Sequence, residues 1–191
     1  MSFHQSIALP AEAFFDAANE AAEAWRGRCL GTFAKVEMAV SETLLAMSAD
    51  AGRGKTVDLP LLIGPRNDML GKLICPGGAF HAEGKVACTA LQSFLAIDPL
   101  RAYLSHATTE VSVDRHGRWI VLLRLLAFRG GQPDRSVQAF REDEADLIAE
   151  GLERAAQRLL PQLGQVRATL AKPAVTKPPA AKPASTASTT A

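Results

Sequence analysis

The chain has 191 residues, 48% of them hydrophobic, and a formal net charge of +1. That is the length of one domain with enough apolar side chains for a core, and the near-neutral charge excludes tight nucleic-acid binding through an overall basic surface. The charge is uneven: removing Lys172, Lys177 and Lys182 of the acid-free C-terminal stretch from +1 leaves about −2 on the body.

Three cysteines, Cys29, Cys75 and Cys88, stand at long spacings without a CxxC or Cys/His ligand pattern. They read as three reduced thiols in a reducing compartment, with no disulfide framework and no zinc site. No Lys or Arg precedes Arg26, and no apolar run approaches the ~20 residues of a spanning helix. The expectation is a soluble cytoplasmic protein with no membrane contact.

Residues 1–9 read as a lead-in, and Pro10 opens a helix. Phe14, Phe15, Ala18, Ala22 and Trp25 recur at helical spacing, and Phe33, Val36, Val40, Leu44 and Met47 form a second such stripe. Gly27 and Gly31 lie between them, compatible with two helices or with one long helix. Residues 50–58 form a solvated basic loop. Its GRGKT stretch lacks the first glycine of a phosphate loop and follows a helix where that motif needs a strand.

A third helix runs from Pro60 to Ile74 and stops at Pro76-Gly77-Gly78. A fourth covers 83–97 with Val86, Ala90, Leu91, Phe94 and Ile97 inward. Asp98 and Pro99 supply an N-cap and first position for a short helix from Leu100 to about Ala107. Alternation then predicts a strand from Thr108 to Asp114, a turn at 115–118, and an apolar strand from Trp119 to Phe128 with Trp119, Val121 and Leu123 buried. Gly130-Gly131 breaks that strand, and 134–139 can add a third. The last helix spans Glu142–Leu170 with a kink at Pro161. After Ala171 the Lys/Pro/Ala/Ser/Thr-rich composition predicts a disordered tail over 172–191. The fold class is α+β, mostly α: one domain over 1–171, a helical bundle with a β-hairpin or small antiparallel sheet at about 109–139 before the C-terminal helix.

The chemistry-bearing candidates are Arg101 and His106, at the end of the short helix. Five residues apart on a helix is about 140° around the axis, so the two converge only if the helix ends between them or a second subunit completes the geometry. A histidine at a helix C-terminus suits acid–base work, and an arginine suits a phosphate or its transition state. Equally, Arg101 can pair with Glu37 or Glu42 while His106 merely ends the helix. Trp119 reads as core, and Arg118 and Arg124 share a strand face that is a solvent face or a phosphate strip. His4, His81 and His116 fall in loops. Glu37 and Glu42 do not share a helix face as an acid pair would require.

An arginine followed after four residues by a histidine, late in a mostly helical domain with long helices over 11–49 and 84–107, resembles the signature of the HEPN superfamily. The resemblance spans about residues 8–170. It implies a bacterial, homodimeric, metal-independent endoribonuclease of a toxin–antitoxin or defence system, with Arg101 and His106 catalytic, RNA as substrate, no cofactor and an antitoxin-like partner protein. Active members commonly carry a polar residue after the arginine; here it is Ala102. The alternative is a non-enzymatic dimeric interaction or ligand-binding module.

Overall fold

A computed structural model describes residues 11–172. Pro10, the lead-in and the tail from 173 onward lie outside the described residues. Among the described residues, five α-helices and one three-stranded antiparallel sheet make an α+β, mostly helical fold, with the sheet placed before the last helix.

Helix α1 runs unbroken from Ala11 to Ser48. Ala18, Ala22, Trp25, Cys29, Phe33, Val36, Val40, Leu44 and Met47 are all buried, so one stripe of helical period continues through the region of the two glycines. Gly27 and Gly31 lie on the solvent side, and a Cβ on either would meet nothing within 4 Å. They do not end the helix, because the core contacts on both sides of them hold it. Each is left with the entropic penalty of an interior helical glycine. Gly27→Ala and Gly31→Ala should therefore each raise the unfolding free energy by about 0.5–1 kcal/mol, measurable by urea denaturation.

The loop after α1 is less solvated than its composition suggests. Arg53 pairs with Asp50 at 3.0 Å and with Glu83 at 2.8 Å, and its guanidinium lies 4.2 Å from the centre of the Phe80 ring. Its hydrogen bonds to Arg53 hold the Asp50 carboxyl below its ordinary range.

Helix α2 spans Ile63–Ile74 and α3 spans His81–Leu95. α2 begins three residues later than Pro60, which places Pro65 in its first turn, where a missing N–H is harmless. The two helices pack so closely that a Cβ on Gly84 would stand 2.5 Å from Cβ of Ile74. Cys75 and Cys88 are joined by a disulfide, with Cα atoms 5.2 Å apart. This corrects the expectation of three free thiols: the Pro76-Gly77-Gly78 turn folds α3 back on α2 and brings the two sulfurs together. Only Cys29 is a free thiol, buried in α1, and burial pushes its pKa up to about 11.

Within α3 the core side carries Ala87, Cys88, Leu91 and Phe94. Val86, expected inward, is 63% exposed, because it sits about 100° around the helix from Ala87. Helix α4, Pro99–His106, follows through a tight turn and buries Leu100 and Leu104.

Strands β1 (Thr108–Val113), β2 (Trp119–Arg129) and β3 (Gln132–Arg141) form the sheet in that order, with Val111 opposite Val121 and Leu123 opposite Gln138. The expected burial of Trp119, Val121 and Leu123 is observed. Gly130 and Gly131, at φ +57° and +78°, make the two-residue turn between β2 and β3, the left-handed pair that such a hairpin needs. Because β1 covers only Trp119–Arg124 of β2, the β2–β3 ribbon overhangs the rest of the sheet. Helix α5, Glu142–Leu170, continues through Pro161 and lies along α1 and α3.

Candidate functional site

Helix α4 carries the two candidate residues and points them apart. Asp98, expected as its N-cap, has helical dihedrals and makes no side-chain cap bond. Arg101 faces α1, where its Nε donates to a carboxylate oxygen of Glu37. The pair is largely withdrawn from solvent, with side chains 30% and 26% exposed. Asp98 adds a further acid in this corner. Burial pushes its carboxyl up, against the pull of Arg101 and with the help of Glu37 and Asp68. The surroundings of Arg101 are thus acidic, which suits an ion pair and repels a phosphate.

A carboxyl whose folded pKa exceeds its unfolded value disfavours the folded state once it is ionised, and the penalty disappears as pH falls below the unfolded value. Asp98→Asn should therefore be more stable than wild type at pH 7, and the difference should shrink as pH falls through the carboxylate range. Thermal unfolding across that range reads it.

The α4 C-terminus is held by a residue that sequence reasoning missed. Arg26 of α1 donates from Nε to the Leu104 carbonyl at 2.6 Å and from a terminal nitrogen to the Thr109 hydroxyl at 2.9 Å. Its guanidinium takes the place at the helix end that the sequence assigned to His106. No short-range pattern could reveal it, since Arg26 lies 78 residues from Leu104.

His106 ends α4 with its side chain exposed. It opens onto a notch of about 410 Å³ where the β2–β3 ribbon overhangs the start of β1. Thr108, Arg124, Arg135 and Ser136 line the notch with it, and Leu126 and Val137 add apolar surface. Arg101 is not among the lining residues. Arg124 is held in place by Glu110, through bonds of 2.9 and 3.1 Å. Arg135 makes no ion pair among the described residues. Its neighbour across the strand pair is Leu126. Arg135 and Ser136 lay in a segment read only as a short optional strand, so nothing marked them beforehand.

The remaining candidates are occupied elsewhere. Arg118 bonds Asp114, whose carboxylate also accepts the backbone N–H groups of Arg118 and His116 and is held down to about 2. His116 accepts from Arg115, and His81 Nδ1 lies 2.9 Å from the Ile74 carbonyl. Arg167 on α5 bonds the Thr43 hydroxyl at 3.0 Å and pairs with Glu42. His4 lies outside the described residues. No three His, Cys, Asp or Glu side chains among the described residues form a group able to hold a metal ion. No helix among them is long and apolar enough to cross a membrane.

No family model matches the chain, and no curated protein or solved structure matches it.

Proposed function

We propose that this chain is a HEPN-like domain that binds RNA, with a backbone phosphate held in the His106 notch. The observation that carries the reading is the meeting of an exposed imidazole, two guanidinium groups and two hydroxyls on one open cavity. His106, Arg135 and Ser136 can donate hydrogen bonds as phosphate oxygens require, and Arg124 can add the terminal nitrogen that does not bond Glu110. Leu126 and Val137 offer the apolar contact that a ribose or base edge needs. The test is fluorescence anisotropy of a labelled single-stranded RNA. Arg135→Ala should weaken binding about tenfold, and the dependence of log affinity on log salt should flatten by about one contact. An affinity untouched by Arg135→Ala and His106→Ala would sink the reading.

Cleavage is the second reading. His106, solvent-exposed beside an open cavity, would then carry the proton transfer. The phosphate-stabilising arginine would then be supplied by Arg135, or by Arg101 of a second copy in a homodimer. An antitoxin-like partner belongs to the same proposal. A cytoplasmic location belongs to it too, and there the Cys75–Cys88 bond would meet a reducing thiol pool. Counting thiols after rapid alkylation decides that point: three in the reduced chain, one when the disulfide is kept.

A further inference from the structure

β1 is an edge strand. Among the described residues it pairs with β2 alone, and the order β1-β2-β3 leaves its other side without a strand. Next to the turn, the Asp114 N–H donates to the Arg118 carbonyl at 2.8 Å. Antiparallel ladders alternate, so Glu110 and Ser112 direct their backbone groups to β2. Thr109, Val111 and Val113 direct theirs to the open edge.

Along that edge runs a groove of about 660 Å³, lined by Phe15 of α1, Val111, Val113, Asp114, Arg115 and His116. The two valines lie on the core side of the sheet yet are only half-buried, and Phe15 is 45% exposed. A fourth strand on this edge would lay its inward side chains over these three residues and complete the layer. Another extended backbone matches the N–H and C=O groups of an edge strand in register, where water meets them one at a time. The occupant is therefore a polypeptide strand.

Charge decides its polarity. At the turn end of the groove Asp114 is already engaged by Arg118 and two backbone N–H groups. Arg115, which is exposed and makes no ion pair among the described residues, its Nε donating to Nε2 of His116, leaves a positive charge to be met. We infer that the free edge of β1 binds an extended peptide segment of a partner protein, apolar at alternate positions and carrying a carboxylate that meets Arg115. The site sits at the opposite end of β1 from the His106 notch and stands independently of the RNA reading.

The probe is a fluorescein-labelled eight-residue peptide that alternates valine and threonine and ends in aspartate with a free carboxylate. It should bind the full chain saturably. N-methylating one set of alternate backbone amides should abolish binding, and methylating the other set should leave it intact, since only one set faces β1. Arg115→Glu should weaken the parent peptide by about tenfold or more without moving the thermal midpoint, because Arg115 lies outside the core. No binding, or equal loss with both methylated sets, overturns the inference. Binding seen only after deletion of residues 1–9 gives the edge to the chain's own N-terminal segment. A dimer that dissociates as the peptide binds gives it to a second copy. Either result also overturns the partner-peptide assignment.

Discussion

Trp25→Ala should lower the unfolding free energy by about 4–5 kcal/mol, at the upper end of the range for large-to-small core changes. Trp25 is 1% exposed at the point where α1, the sheet and α5 meet. Its ring centroid lies 6.0 Å from that of Trp119 and 5.8 Å from that of Phe140, so both packed strands β2 and β3 lean on it. Its indole N–H donates to the Ala145 carbonyl at 2.7 Å, which ties α1 to the first turn of α5. Removing the side chain leaves a cavity between three elements that the helical scaffold cannot easily close. For a domain of this size the thermal midpoint should fall by about 10–15 °C. Trp25→Phe keeps most of the volume and loses the hydrogen bond, so it should cost about 1–2 kcal/mol. A loss under about 2 kcal/mol for the alanine variant would show that the sheet does not depend on this contact.

Such a junction was only partly legible in the sequence. Period-two alternation placed Trp119, Val121 and Leu123 on one buried face, because a strand with one wet side must alternate. Period 3.6 placed Trp25 on the core side of its helix for the same kind of reason. What alternation cannot supply is the partner: Trp25 and Ala145 are 120 residues apart, and only tertiary packing brings them together. Gly27 and Gly31 left one helix or two unresolved, since local propensity favours a break while the continuing apolar stripe favours one helix. The stripe prevails because burial of Trp25, Cys29 and Phe33 outweighs two interior glycines. The Cys75–Cys88 bond was missed because a thiol pair 13 residues apart meets only if the intervening turn folds back sharply.

The candidate site shows the same division. That α4 would end near His106 followed from Asp98-Pro99 and the alternating strand beyond it. Which way Arg101 would point did not follow, because Glu37, 64 residues away, is reached only once α4 packs across α1. The sequence held both outcomes open, an ion pair or a catalytic arginine, and the helix phase places Arg101 against the acid. The arginines that do share a cavity with His106 come from β2 and β3, through strand pairing that no motif spacing records.

The separation of Arg101 from His106 leads to opposite expected results for the two alanine variants. Arg101→Ala removes a guanidinium from an acidic corner and leaves Glu37 and Asp98 facing each other. It should lower stability by about 1 kcal/mol, the upper end for a pair that keeps some contact with water. RNA affinity should not fall, since the notch is untouched. His106→Ala removes an exposed side chain from the notch. It should leave stability within about 0.5 kcal/mol of wild type and weaken RNA binding several-fold. Urea denaturation and anisotropy on the same two proteins give four numbers that must fall in this crossed pattern. The endoribonuclease reading demands a different one: cleavage by wild type in EDTA, products ending in a 2′,3′-cyclic phosphate, and loss of cleavage in His106→Ala and in one of Arg101→Ala and Arg135→Ala. In that chemistry the 2′-hydroxyl attacks the adjacent phosphorus, His106 moves the proton, the 5′-oxygen departs, and an arginine stabilises the charge on the phosphoryl oxygens. If Arg101→Ala abolished cleavage while Arg135→Ala did not, the arginine of a second copy would have to reach the notch, and cleavage would then rise with the square of protein concentration below the dimer dissociation constant. If Arg135→Ala abolished it instead, the catalytic arginine would be the one on β3, and a single chain would suffice.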